Sequence, residues 1–586
     1  MIPEDMYMKR LVSLVLCAAL LVGCVSLFTG CGKPKDDGAQ IRVYLGDTVF
    51  DMDPTDYYAD DNAAQVMSLL FEPLFTLDSR GRLKNAAAAG YSVNKAERTI
   101  VITLRESYWS DGTRVIAQDF IYAWRDRVMD PNSQNPAAAL FYDVENAVAV
   151  KNGAEDLYEF GANATGVYEI TIKYREGADV NQLLKNLASV ATSPVREGSV
   201  FNSPYAWSKN TNSATSNGAF KLSVYSPSTG EFVLERNKGY HQSPSAKNYT
   251  KNVTPYTLVT FWDENSRAVD LTYEQIENHV IFFMGDASLQ TRSEYKKKAK
   301  TADTLSTYTY PFNTDNPLFA DAKVRYALSL ALDRAAMAQA VTFATPATGF
   351  LSGHKGLIGG ADLARAEQLL AEADLHGAAK KFTLTVNDDV ASLALAELAK
   401  ASWSALGFEV TIEPVNYVEN DVKDPATNEM TTIRDSAVQS LLKNAAVGQR
   451  DFDVLALDWQ TYSADAFVAL CAFTSTMNGN GAAYAEDGTA TVRGTVAGWS
   501  HAEYDALMEQ AFAATGKTRT DLLNQAEKLL IEEAPVIPVL YNQNFAFIGS
   551  KLKKVELDGF GNFNLTKANL RQYKKYSVSL DDSTEE

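Results

Sequence analysis

"TIVITLRESYWSDGTRVIAQDFIYAWRDRVMDPN" (residues 99–132) opens with a strand pattern and breaks into a turn. From Thr99 to Arg105, β-branched or apolar side chains alternate with polar ones, the two-residue period of a half-buried strand. Trp109-Ser110-Asp111-Gly112 then reads as a strand-to-turn connection. Gly112 suits a backbone that must reverse, and Asp111 can bond its own backbone two residues on.

Working outward, the same alternation recurs in "IRVYLG" (41–46), "YEITIKY" (168–174) and "EFVLERN" (231–237). "FTLTVND" (382–388), the amphipathic "SLALAELAKASWSALG" and "FEVTIEPV" (408–415) form a strand–helix–strand unit, with Gly407 closing the helix. Such a unit implies a parallel strand pair. "FDVLALDW" (452–459) is a further strand, and "HAEYDALMEQAF" and "RTDLLNQAEKLLIEEAP" are two late helices, the second stopped at Pro535. Residues 206–218 are a polar Ser/Asn loop, and 417–449 read as a polar excursion without clear strands. The chain is mixed α/β, and 586 residues imply two or three domains.

A net charge of −19 without a basic footprint excludes nucleic acid as a partner. Tyr295 to Lys298 reads as a solvated helix face. Of four cysteines, Cys17, Cys24 and Cys31 fall in the N-terminal apolar stretch, leaving Cys471 as a small buried apolar residue of the body. No disulfide framework or CxxC spacing is available there. The five histidines form no HExxH or H-x-H, and neither a G-x-S-x-G elbow nor a P-loop occurs. No metal, cofactor or catalytic residue is expected. The 28 Tyr, 27 Phe and 7 Trp supply aromatic groups of the kind that line binding pockets.

Lys9 and Arg10 precede twenty uncharged residues, Leu11 to Gly30, the pattern of an export signal. Its length also suits a membrane-spanning helix. A cysteine after a small residue points instead to lipoprotein processing. "LVGC" at Cys24 and "LFTGC" at Cys31 both resemble a lipobox. Cys31 is favoured because it leads directly into the polar "GKPKDDGAQ", and a start at Met8 would give a signal of ordinary length. The expectation is a signal peptide at 1–30, acylation of Cys31 with membrane lipid as the partner, and a tether at 31–40.

The 99–132 block, with Trp109-Ser110-Asp111-Gly112, Ala117, Asp119-Phe120 and Tyr122, resembles family 5 extracellular solute-binding proteins of ABC importers, the oligopeptide- and dipeptide-binding group. Other blocks agree in order: "MDPTDYYADDNAAQVMSLLFEPLFTLDSRGRL" (52–83), "SNGAFKL" (216–222), "LERNKGY" (234–240), "NPLFADAKVRYALSLALDR" (316–334) and "EEAPVIPVLYNQ" (532–543). The resemblance implies a two-lobed periplasmic-binding-protein fold, with hinged α/β lobes and an extra domain. The corresponding bounds are lobe I at 41–78, 204–308 and 539–575, the extra domain at 79–203, lobe II at 309–538 and a disordered tail at 576–586. It also implies a monomer that captures a peptide or other small solute between closing lobes and presents it to an ABC permease.

Peptide-binding relatives hold the ligand's α-ammonium with an aspartate shortly after a Gly-Trp pair. In "LALDWQTYSADAFVAL" Trp459 matches the tryptophan, and Tyr462 stands at the aspartate's position. Asp458 and Asp465 are the nearest acids. The resemblance implies ligand contacts from Tyr58, Trp459, Gln460, Tyr462, Asp465, Tyr541 and Asn542. An oligosaccharide or nickel-chelate ligand stays open within the family, and an exported hydrolase or a surface sensor outside it.

Overall fold

The computed structural model describes residues 39–44, 49–56, 61–204, 206–211, 213–226, 231–245, 251–261, 280–282, 299–341, 344–352, 356–423 and 430–571. The signal, the tail and the tether up to residue 38, with Cys31 and Tyr58, lie outside them, as does the lysine run at 296–298, while Gln40 at the tether's expected end is already in a strand.

Two apolar cores form around different sheets. The first sheet runs Val280–Phe282, Gln40–Tyr44, Thr257–Phe261, Glu231–Arg236 and Phe220–Ser226. Gln40–Tyr44 is parallel to both of its neighbours, and the remaining pairs are antiparallel. A separate antiparallel sheet of Ala88–Asn94, Thr99–Leu104, Glu169–Lys173 and Ala162–Gly166 contains the strand on which the sequence reading began. Beyond it, Gly112 has φ +89°, and Asp111 accepts from the Thr113 N–H at 2.9 Å and hydroxyl at 2.7 Å. Asp119 holds this turn to the next helix, accepting from Trp109 Nε1 and the Ile116 N–H, each at 2.9 Å. Burial pushes its carboxyl up to about 6 against those two bonds.

The second core is built on the parallel strands Glu409–Val415, Lys381–Asn387 and Val454–Leu455. Helix Val390–Ala405 crosses between the first two, and Gly407 at φ +85° lets the chain turn back, as the strand–helix–strand pattern implies. The expected strand at 452–459 is two strands in two sheets. Val454–Leu455 joins the parallel sheet, whereas Leu457–Gln460 pairs antiparallel with Lys300–Pro311.

That last strand belongs to a central sheet, ordered Ala344–Pro346, Val536–Ala546, Lys300–Pro311 and Leu457–Gln460. Side chains alternate between its faces. Leu457, Trp459 and Val536 enter the first core, while Tyr308, Tyr310, Ile537 and Leu540 enter the second. The two long strands connect the cores. At one end Lys300 and Asn544 bond the carbonyls of Val555 and Gly561, and their pairing is interrupted between Asp303 and Thr307.

The excursion at 417–449 is structured, contrary to the sequence reading. Tyr417–Lys423 and Met430–Ser436 form a hairpin that leads into helix Ala437–Ala446. Both faces of its first strand are largely exposed, so no apolar alternation marks it in the sequence.

Candidate functional site: a charged seam and the central sheet

Ligands of open α/β sheets bind beyond the carboxyl ends of parallel strands. In the first sheet, residues 49–56 follow such an end. Here Asp53 accepts from the Thr55 N–H (2.9 Å) and hydroxyl (2.7 Å), from Trp207 Nε1 (3.2 Å) and from Arg127, whose Nε also donates to Thr55 Oγ1 at 2.7 Å. Burial pushes the Asp53 carboxyl up, and the neighbouring Asp51 and Asp56 push the same way against Arg127.

This segment meets the hairpin and helix at 417–446. Lys209 lies between Asp51, at 3.4 Å, and Asp435 of the hairpin. Lys443 of the helix pairs with Asp56 at 2.6 Å, and the rings of Phe50 and Tyr417 lie 6.1 Å apart. Arg434 covers Tyr417 at 4.2 Å. Burial alone would raise Asp51, but Lys209 and the Ser208 hydroxyl, at 2.6 Å, outweigh it and hold the carboxyl below its ordinary range. Burial likewise opposes the charge on Lys209, and Asp51 and Asp435 together overcome it. The result is a chain of alternating charges running from the first sheet to the hairpin and helix at 417–446, whose Val438, Leu442 and Ala445 are buried in the first core.

The central sheet gathers five of the residues singled out in the sequence and sorts them. Trp459 and Tyr541 both pair with Thr307, so they share a face. Trp459 stacks on Phe473 at 4.9 Å and meets Phe350 edge-on at 6.0 Å. Tyr541 donates to the Gly349 carbonyl at 3.1 Å and accepts from the Thr348 N–H at 3.2 Å. Both aromatics therefore hold the 348–350 loop. Strand alternation puts Asp458, Gln460 and Asn542 on the opposite face. Asn542 Nδ2 donates to Asp458 Oδ1 at 2.5 Å and to Ser306 Oγ at 2.9 Å, at the interruption in the long strands.

Tyr462 is buried with φ +56°, a left-handed backbone that a bulky side chain adopts only where its surroundings impose it. The turn around it is tied down: the Thr461 N–H and hydroxyl donate to Leu305 O at 3.1 and 2.8 Å, and Ser463 Oγ bonds Asn186 Oδ1 at 2.7 Å. Asp465 stands apart from a cleft role. Its two oxygens accept from Arg519 at 2.9 and 2.8 Å, and it caps helix Ala466–Cys471 through the Phe467 N–H. Cys471 is buried as expected.

The residues of the seam were not singled out in the sequence. Lys209 is the only cation in its Ser/Asn loop, a weak cue, and Asp435 and Lys443 lie in the excursion read as irregular. Asp333 and Arg334, at the end of the 316–334 block, have separate structural roles. Asp333 caps its helix at the Ala336 N–H, and buried Arg334 donates to Ser329 and to the Pro538 carbonyl. Among the described residues, no group of three or more His, Cys, Asp or Glu could hold a metal ion, and no helix is long and apolar enough to cross a membrane.

Two sheets on two cores, joined by a pair of long strands and meeting at a charged seam, define a two-lobed solute-binding protein. The chain belongs to the bacterial extracellular solute-binding proteins, family 5, whose pattern matches residues 82–481. It is similar to the periplasmic murein peptide-binding protein MppA of Escherichia coli, 27% identical over 583 residues, 93% of this chain and 96% of that one. It is 25% identical to the probable deoxycholate-binding periplasmic protein YgiS of the same organism, over 82% of this chain and 84% of YgiS. The solved structure of Haemophilus influenzae OppA in complex with the peptide RPPGFSPFR superposes with a TM-score of 0.71, at 22% identity, over 92% of this chain and all of that one. The fold is that of the large peptide-binding periplasmic proteins, and the chain is a binding protein, not an enzyme.

Proposed function

We propose that the protein is the lipid-anchored receptor of an ABC importer, a monomer that captures peptides outside the cytoplasm between two closing lobes and hands them to a permease. The observation that carries this reading is the seam. Five side chains, Asp51, Asp56, Lys209, Asp435 and Lys443, exchange charges there, and such contacts favour a closed state without covalent commitment. The interrupted pairing at 303–307 supports these strands as the hinge. Cys31 remains the proposed site of acylation, and the lobe bounds given above remain the proposed division.

With both Asp465 oxygens engaged by Arg519, Asp458 is the better partner for a peptide's α-ammonium. It accepts from the neutral amide of Asn542 on the face of the central sheet that Gln460 shares. Trp459, Gln460, Tyr462, Tyr541, Asn542 and Tyr58 complete the proposed ligand set. A non-peptide solute is the second reading, favoured by Tyr462 standing where peptide-binding relatives present a carboxylate. Native mass spectrometry of the protein expressed from Gly32 onward, before and after partial unfolding, tests the choice. A ladder of peptide masses, lost in Asp458→Asn, supports peptide capture. A single non-peptide mass overturns it and leaves the receptor role. Loss of acyl label from the full-length protein on Cys31→Ser tests the anchor separately.

A further inference from the structure

The first sheet has a second functional end. Glu231–Arg236 runs antiparallel to Thr257–Phe261, so residues 237–241 and 252–256 emerge together, at the opposite end from the seam. The chain enters the sheet at this same end, where the Tyr256 and Thr257 N–H groups donate to Ala39 O at 2.9 and 3.4 Å. The return segment joins them through the Thr254 N–H, which donates to Thr566 O at 2.9 Å.

These segments line an open pocket of about 240 Å³ whose walls include His241, Lys554, Glu556, Asn564, Thr566 and Lys567, with both lysines exposed at its rim. That is smaller than pockets for drug-sized ligands, roughly 300–1,000 Å³, and suits one small polar group. In a chain of net charge −19, two ammonium groups share it. Among the described residues, neither Lys554 nor Lys567 has a carboxylate within ion-pair distance, and Lys567 Nζ donates to the Lys251 carbonyl. Burial lowers the Lys567 ammonium, and the charge of Lys554 lowers it further. An anion placed between them would relieve both effects.

The wall is rigid. Arg105 donates to His241 Nδ1 at 3.3 Å, which leaves Nε2–H to donate to Glu72 Oε2 at 2.6 Å, and Tyr240 donates to the other Glu72 oxygen at 2.5 Å. Asn252 Nδ2 bonds the carbonyls of Tyr240 and His241. His241 (φ +55°) and Lys554 (φ +60°) both take the left-handed backbone, a strain that clusters at ligand sites. Asn564 Oδ1 accepts from the Thr566 N–H at 2.9 Å, which leaves its Nδ2 to donate.

We propose that this cavity binds a phosphate group between Lys554 and Lys567, with Asn564 Nδ2 and Thr566 Oγ1 as neutral donors. Two ammonium groups and two neutral donors on one pocket lining offer the several hydrogen bonds that a phosphate's oxygens accept. Glu556 opposes the anion and sets its affinity low. Free inorganic phosphate and phospholipid headgroups both present this chemistry, and the pocket lies at the end of the sheet where strand Gln40–Tyr44 begins.

The test is calorimetric titration of the protein from Gly32 onward with inorganic phosphate at low salt, alongside co-sedimentation with phosphatidylglycerol or phosphatidylcholine vesicles. Saturable binding is expected, weakened at least about tenfold in Lys554→Gln/Lys567→Gln, strengthened in Glu556→Gln and retained in Lys554→Arg/Lys567→Arg. Binding to free phosphate identifies that source. Binding to phosphatidylglycerol vesicles alone identifies headgroups, and either result supports the site. No binding to either probe, or binding unchanged across the lysine variants, overturns it. The Glu556 and arginine variants keep the outcome decisive if the glutamine pair fails to fold.

Discussion

Two charged regions join distant parts of this chain, and they are built differently. Where residues 143–175 meet the late helices, Asp465 takes both ends of Arg519, and Asp143 pairs with Arg175 at 2.6 Å. The guanidinium of Arg175 lies 3.7 Å over the ring of Phe512, and Phe467 stacks on Phe512 at 5.3 Å. Each charge there has one well-matched partner and an apolar cover. At the seam, Lys209 is divided between two carboxylates, and three aspartates crowd within six residues. Lys443 and Asp56 remain about a third exposed. A permanent contact tolerates full desolvation because it never separates. A contact that opens must let water replace its partners cheaply, and the partly exposed Lys443–Asp56 pair does so.

The largest effect that would break this contrast comes from the permanent side. Arg519→Met leaves Asp465 buried without its partner, so unfolding stability should fall by about 3–5 kcal/mol in a denaturant titration. A loss below 1 kcal/mol would place both regions in one class. At the seam, Lys209→Met should cost about 1–3 kcal/mol, and on the proposed closure it should also weaken solute binding. A double-mutant cycle on Lys443→Met and Asp56→Asn should return a coupling of about 0.2–1 kcal/mol, fading as salt is raised. Asp119 gives the smallest signal. Its carboxyl is raised to about 6 in the folded protein from an ordinary value of 3.8. The folded state therefore holds the proton more tightly, and stability from this group falls as pH rises from about 4 to 6. Asp119→Asn should flatten that part of the stability–pH curve.

The parts of the fold that were legible in the sequence are those whose burial is one-sided. Thr99–Leu104 and the unit from Lys381 to Val415 show their buried faces in their periodicity, and Gly407 marks the turn. The hairpin at 417–436 could not be read that way. Its strands are held by cross-strand pairs such as Arg434 with Glu419, and not by an apolar face. Residues 452–459 have strand character throughout, but the change of sheet after Leu455 depends on partners more than 65 residues away. The site was legible in the same uneven way. Trp459, Gln460, Tyr541 and Asn542 fall in one sheet, and alternation alone divides them between its faces. Asp465 looked available because Arg519, 54 residues on, is invisible to local reading.

The most direct test of closure is a distance. Spin labels at Asn202→Cys and Glu419→Cys, both exposed and on opposite sides of the seam, report the lobe separation in the protein from Gly32 onward. With the solute recovered from the protein itself, pulsed dipolar spectroscopy should show a broad, longer distribution collapsing to a short, narrow one. An identical distribution with and without solute would contradict an account in which the seam forms on capture.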